Sequence, residues 1–118
     1  MAKIMLVDDA MFMRAALKKI VEDAGNKVVA EAGTGLEAIE LYESAMPDLI
    51  LMDITMPDMD GITATKKILE VDAGAKIIMV SALGQMDMVI KAITTGAKDF
   101  VVKPVDEGKL KACMQKYL

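Results

Sequence analysis

Leu49-Ile50-Leu51-Met52-Asp53-Ile54-Thr55-Met56-Pro57-Asp58-Met59-Asp60-Gly61 is the stretch that decides the fold. Its first four residues are apolar without alternation, the pattern of a short strand covered on both faces. An acid, Asp53, closes the run. A loop rich in Pro and Asp follows, and Asp60-Gly61 opens a helix that runs to about Val71. The same grammar recurs along the chain. Lys3 to Val7 precedes Asp8-Asp9, and Lys76 to Val80 precedes Ser81. Lys27 to Ala32 and Asp99 to Val102 complete the set, the latter leading into Lys103-Pro104.

Amphipathic segments fill the gaps. In Met11 to Ala24 the residues Phe12, Ala16, Ile20 and Ala24 step by four, with Leu17 and Val21 beside them, which predicts one buried helical stripe. Thr34-Gly35-Leu36-Glu37 has capping-box form and opens a helix that closes before Met46-Pro47. Gln85 to Thr95 reads as a fourth helix ended by Gly96. Asp106 to Tyr117 reads as a fifth, burying Leu110, Cys113, Met114 and Tyr117. Five strands alternating with five helices predict an α/β fold in one domain over residues 1–118, a doubly wound parallel sheet. The strands at 4–7, 49–52 and 77–80 are wholly apolar and belong inside. Those carrying Lys27 and Glu31, or Asp99 and Lys103, suit the edges. The order 2-1-3-4-5, flavodoxin-like, follows, with its switch point between strands 1 and 3.

Composition narrows the chemistry. The 118 residues contain no His and one Cys, which removes Ser-His, Cys-His and His-metal mechanisms and any internal disulfide. A net charge of −4 argues against a dedicated nucleic-acid binder. No apolar run approaches membrane length, and the apolar stretch at 4–7 is too short for a signal-peptide core. A cytoplasmic protein with no nucleic-acid or membrane partner is expected.

At the switch point the topology gathers Asp8, Asp9 and Asp53, with Ser81 and Lys103 at the ends of strands 4 and 5. Each has an ordinary reading alone: a helix cap, a turn residue, a loop hydroxyl, a solvated lysine. Their joint arrival at one sheet edge points instead to chemistry. Three neighbouring carboxylates repel unless a cation relieves them. Mg²⁺, which takes oxygen ligands and keeps several waters, suits them. A metal, a lysine and a hydroxyl around one carboxylate suit phosphoryl transfer, with Asp53 as nucleophile.

Val7-Asp8-Asp9, Leu51 through Gly61, Val80-Ser81-Ala82 and Val102-Lys103-Pro104 together resemble the receiver domain of two-component response regulators, across the whole chain. The stretch from Ser81 to Pro104 is most similar to stand-alone chemotaxis regulators. The resemblance implies that Asp53 accepts a phosphoryl group from a histidine kinase. It implies that Asp9, Asp53 and the backbone carbonyl of Thr55 hold Mg²⁺ directly, with Asp8 acting largely through metal-bound water. It makes Lys103 the partner of the phosphoryl oxygens, Ser81 and Phe100 the switch pair, and the Lys103-Pro104 bond cis. The expected partners are a chemotaxis histidine kinase, a flagellar or archaellar motor switch or its adaptor, and a phosphatase. The chain is then a monomeric phosphoacceptor, not an enzyme, apart from Mg²⁺-dependent autophosphorylation and autodephosphorylation. A phosphorelay intermediate feeding a histidine phosphotransferase is the alternative. Phe100 stands where Tyr is frequent, and lacking a hydroxyl it should favour a buried position.

Two rivals fit less well. A haloacid-dehalogenase-type phosphatase needs a second Asp where Thr55 stands. A flavin carrier would not set Asp8-Asp9 against a phosphate. With no output domain after Leu118, the signal is expected to leave by protein contact through helix 4, strand 5 and helix 5. Beyond Ser81 there are six basic residues and four acids, against eight and fourteen before, which favours an acidic or amphipathic partner segment. The 12 Met read mainly as core, with Met11, Met56, Met59 and Met86 as the exceptions, and Cys113 as an inert core thiol.

Overall fold

A computed structural model describes all 118 residues. Its elements alternate without exception: β1 (Lys3–Val7), α1 (Met11–Asp23), β2 (Lys27–Ala32), α2 (Gly35–Ala45), β3 (Leu49–Met52), α3 (Gly61–Val71), β4 (Ile77–Ser81), α4 (Met86–Thr95), β5 (Asp99–Val102) and α5 (Glu107–Tyr117). The sheet is parallel, in the order β2-β1-β3-β4-β5. The reading of apolar strands as interior holds at β1, β3 and β4. Alternate side chains of these strands enter two separate cores. Met5, Val7, Ile50, Met52, Ile77 and Met79 pack under α2, α3 and α4. Ile4, Leu6, Leu49, Leu51, Ile78 and Val80 pack under α1 and α5. Each such side chain contributes roughly 1.5–3 kcal/mol on burial, so a strand with no polar face is stable only between two layers.

Helix starts follow their caps. The Thr34 hydroxyl accepts from the Glu37 amide at 3.1 Å. The Glu37 carboxylate turns back to the Gly33 amide, at 3.2 Å, one residue before the position an ideal capping box uses. Asp60 and Asp106 accept from the amides of Thr63 and Lys109, and so stand just outside α3 and α5 as N-caps.

The predicted α1 stripe is corrected. Leu17 and Val21 are buried, whereas Phe12 is 78% exposed and Ala16 also faces solvent. Steps of four drift around a 3.6-residue helix, and the true seam runs through Met13, Leu17, Ile20 and Val21. Met56 and Met59 pack against the core and are not surface exceptions, while Met46 is exposed. On α5, Leu110 and Met114 are buried but Cys113 and Tyr117 only half so. Both reach Asp99 Oδ2, the thiol at 3.4 Å and the phenol at 3.1 Å. Burial, then the contact with Asp99, pushes the Cys113 thiol up to about 12 and so disfavours the thiolate.

Met46 ends α2 in the left-handed region, at φ 46° and ψ 55°. For a residue with a Cβ this conformation costs about 1–2 kcal/mol. Because its side chain is exposed, Met46→Gly should raise stability by about 0.5–1 kcal/mol, part of the relief being offset by the freer unfolded chain. Urea denaturation measures this.

Tyr42, on the inner face of α2, donates to Asp72 Oδ2 at 2.7 Å beyond the end of α3. Burial, then the hydrogen bond and charge of Asp72, push its phenol up to about 12. The fold therefore favours the neutral phenol. That contribution is complete below the unfolded value of about 10 and is lost as pH rises from there through about 12. Tyr42→Phe should cost about 1 kcal/mol at neutral pH and make stability fall less steeply above pH 10 than in the parent. Chemical denaturation across that range tests both.

Candidate functional site

The sheet's hydrogen-bond ladder runs one residue past β1, β3 and β5 and so fixes the site. Val7 lies opposite Met52, and the Asp53 amide donates to the Val7 carbonyl at 2.8 Å. The Asp8 amide donates to the Ala32 carbonyl at 3.0 Å, and the Lys103 amide to the Ser81 carbonyl at 2.9 Å. Four strands thus deliver Asp8, Asp53, Ser81 and Lys103 to one edge as backbone neighbours. The Lys103-Pro104 peptide bond is cis.

Asp8 is buried and fully engaged. Its Oδ1 accepts from the Ala10 amide at 2.9 Å and its Oδ2 from Lys103 Nζ at 2.7 Å. Asp53 is also buried, with Oδ1 accepting from the Ile54 amide at 2.8 Å and Oδ2 lying 3.4 Å from Lys103 Nζ. Asp9 is exposed and its carboxylate makes no hydrogen bond or ion pair. Each of the three offers a carboxylate oxygen within 4.8 Å of the others.

Burial pushes the Asp53 carboxyl up; the charge of Lys103 opposes this and that of Asp8 adds to it, leaving a raised pKa. For Lys103, burial works against the ammonium, but the hydrogen bond to Asp8 and the charges of Asp53 and Asp8 outweigh it, and its pKa rises. One ammonium thus stands against two buried carboxylates and a third nearby. Such a set is short of positive charge and rich in hard oxygen donors. The Thr55 carbonyl, in the loop after β3, accepts no hydrogen bond and adds a free oxygen on the same strand end. These residues fit Mg²⁺.

Ser81 is buried, and its Oγ accepts from the Leu83 amide at 3.1 Å, which leaves its proton unspent. Phe100 is half-buried on β5, against the core under α2, α3 and α4.

The family model of the response regulator receiver domain matches residues 4–115. The chain belongs to that family. This receiver domain is 53% identical over 116 residues to a chemotaxis protein CheY of Bacillus subtilis, covering 98% of this chain and 97% of that one. It is 48% identical to a CheY of Halobacterium salinarum, covering 88% and 87%. Among solved structures, a chain in the CheX–CheY–BeF3–Mg complex from Borrelia burgdorferi superposes with a TM-score of 0.94 at 38% identity, over 99% of this chain and 90% of that one. The receiver is thus of the CheY chemotaxis type and a phosphorylation-activated signalling module, and its acidic cluster is one that could hold a metal.

The structure also shows a site residue the sequence reading missed. Arg14 Nη1 donates to the Asp8 backbone carbonyl, and its Nε lies 3.3 Å from Glu31 Oε1. Nothing in the motif pattern marks it, because its partner is a backbone oxygen.

Proposed function

We propose that the chain is a single receiver that accepts a phosphoryl group on Asp53 from the phosphohistidine of a chemotaxis kinase, and in that state binds a motor switch protein or its adaptor. The cytoplasmic location expected from the sequence goes with this role. The observation that carries the reading is the asymmetry of the Asp53 carboxylate. Oδ1 is held by the Ile54 amide, while Oδ2 faces Lys103. Oδ2 is the oxygen free to attack phosphorus. A P–O bond forms to Oδ2 as the P–N bond to the donor imidazole breaks, and the imidazole leaves with the bond's electron pair.

Asp8, Asp9, Asp53 and the Thr55 carbonyl would hold Mg²⁺, which neutralises charge on the phosphoryl oxygens. Lys103, fixed by Asp8, supplies a second positive charge to those oxygens. Ser81 can turn its free proton to one of them, which draws on the β4–α4 segment through the bond it now accepts from Leu83. Phe100, next to the core beyond β4, is the side chain that would follow. A covalent phosphoryl group shifts this equilibrium only through contacts better in one arrangement than the other, and Ser81 and Lys103 supply them. Helix α4, strand β5 and helix α5 then form the output surface.

Incubation with a small-molecule phosphodonor and Mg²⁺, followed by mass spectrometry, should add one phosphoryl group to Asp53, and chelation of the metal should abolish it. Modification that persists without metal would sink this mechanism. Affinity capture with phosphorylated protein should gain a motor component; gain of a histidine phosphotransferase instead would mark a relay.

A further inference from the structure

Asp9 is the one carboxylate of the cluster that no side chain or amide holds. Its position depends on the backbone between Asp8 and Ala10. Besides the Ala10 carbonyl, which accepts from the Met13 and Arg14 amides, three contacts anchor that backbone: the Asp8 amide on Ala32, the Ala10 amide on Asp8 Oδ1, and the Asp8 carbonyl under the Arg14 guanidinium. Only the last grips the peptide unit that joins Asp8 to Asp9, so it sets the plane from which the Asp9 Cα departs. Arg14 is itself fixed. It sits in the first turns of α1, its Nε is paired with Glu31 on β2, and it lies close over Gly33, where a built Cβ would come within 3.5 Å of Nη1. The Arg14 side chain is 17% exposed, and its planar fork spans both partners at once.

We propose that Arg14 is a positioning residue for the metal site, holding the Asp8–Asp9 peptide so that the Asp9 carboxylate meets Asp53 at cation-binding distance. This rests on reading Asp8, Asp9 and Asp53 as a divalent-cation site. The sign of the effect separates positioning from charge. Arg14 is a cation beside a cation site, so on Coulomb grounds alone its removal tightens metal binding. Positioning demands the reverse. Groups that orient a metal ligand are worth roughly tenfold or more in affinity. Lysine keeps the charge but lacks the fork, so Arg14→Lys should also weaken binding.

Calorimetric titration of the full chain with Mg²⁺ tests this on the parent, Arg14→Met and Arg14→Lys, with thermal melts followed by circular dichroism as the check on folding. The expected result is a Kd raised roughly tenfold in Arg14→Met and at least threefold in Arg14→Lys. In phosphorylation from a small phosphodonor, the Mg²⁺ concentration for half-maximal rate should rise in step while the rate at saturating Mg²⁺ is retained. A purely structural role would not produce that split. An Arg14→Met variant that binds Mg²⁺ as tightly as the parent, or more tightly, overturns the proposal. Should Arg14→Met fail to fold, the Arg14→Lys titration decides, and parent-like affinity there overturns it equally. A parent that binds no Mg²⁺ overturns the site reading itself, and this proposal with it.

Discussion

Asp53→Asn is expected to raise the melting temperature by a few degrees while ending phosphorylation. Asp8 and Asp53 are both buried, Asp9 lies within reach of them, and Lys103 is the one ammonium that contacts the pair. Burial and the Asp8 charge both work against an ionised Asp53, and Lys103 does not fully compensate. Asparagine has nearly the same shape and keeps an oxygen for the Ile54 amide, so the packing survives while one buried charge is removed. Lys103 retains its 2.7 Å bond to Asp8 and is not stranded. For a domain near this size, 1 kcal/mol corresponds to about 4 °C or a little more. Scanning calorimetry in low Mg²⁺ measures the gain. Adding Mg²⁺ should raise the melting temperature of the parent by mass action and that of Asp53→Asn much less, because one ligand is lost. A variant that melts below the parent at low Mg²⁺ would mean that the Asp53–Lys103 attraction outweighs the repulsion.

An acid at odds with its apolar surroundings is what made the candidate site legible in the sequence. A carboxylate closing a fully apolar strand breaks the local pattern, and Asp8 and Asp53 do so at the two strands that meet at the switch point. Strand order was readable for a related reason. Ile4–Val7, Leu49–Met52 and Ile77–Val80 have no polar face, so only interior places suit them. Contacts between a side chain and the backbone leave no such trace. Arg14 on the Asp8 carbonyl is invisible to spacing because every residue has a carbonyl. The α1 seam was misplaced because Phe12 and Ala16 match a four-residue step as well as Met13 and Leu17 do. Only the sheet beneath decides which set turns inward. The Tyr42–Asp72 bond joins residues thirty positions apart, with no motif to link them. Met56 and Met59 were misjudged because a loop of Pro and Asp reads as solvent-facing, although it folds back over the core.

Gly61 stands where helix propensity and packing demand opposite outcomes. It opens α3, and in a helix alanine is better than glycine by about 1 kcal/mol. On propensity, Gly61→Ala stabilises. The surroundings forbid it. A Cβ built on Gly61 would lie 1.9 Å from the Asp53 backbone oxygen and 2.8 Å from its carbonyl carbon, while the Gly61 amide already donates to the Ile54 carbonyl at 2.7 Å. The obstructing atoms are backbone, so no rotamer change relieves the overlap. Either α3 withdraws from the strand or the Asp53–Ile54 peptide rotates. Withdrawal loosens the core that Ile62, Ala64 and Ile68 make with β3 and β4; rotation moves the proposed phosphoacceptor. Gly61→Ala should therefore cost about 3 kcal/mol or more, in the range of overpacked cores, and should slow phosphorylation of Asp53 even in molecules that remain folded. Gly108, in the first turn of α5, is the control. A Cβ there meets nothing closer than Asp106 Oδ2 at 3.8 Å, so Gly108→Ala should gain up to about 1 kcal/mol. Urea denaturation of the two variants beside the parent separates the forces. Opposite signs mean that the approach of α3 to Asp53 dominates at Gly61, whereas a gain in both would mean that the loop yields and propensity wins.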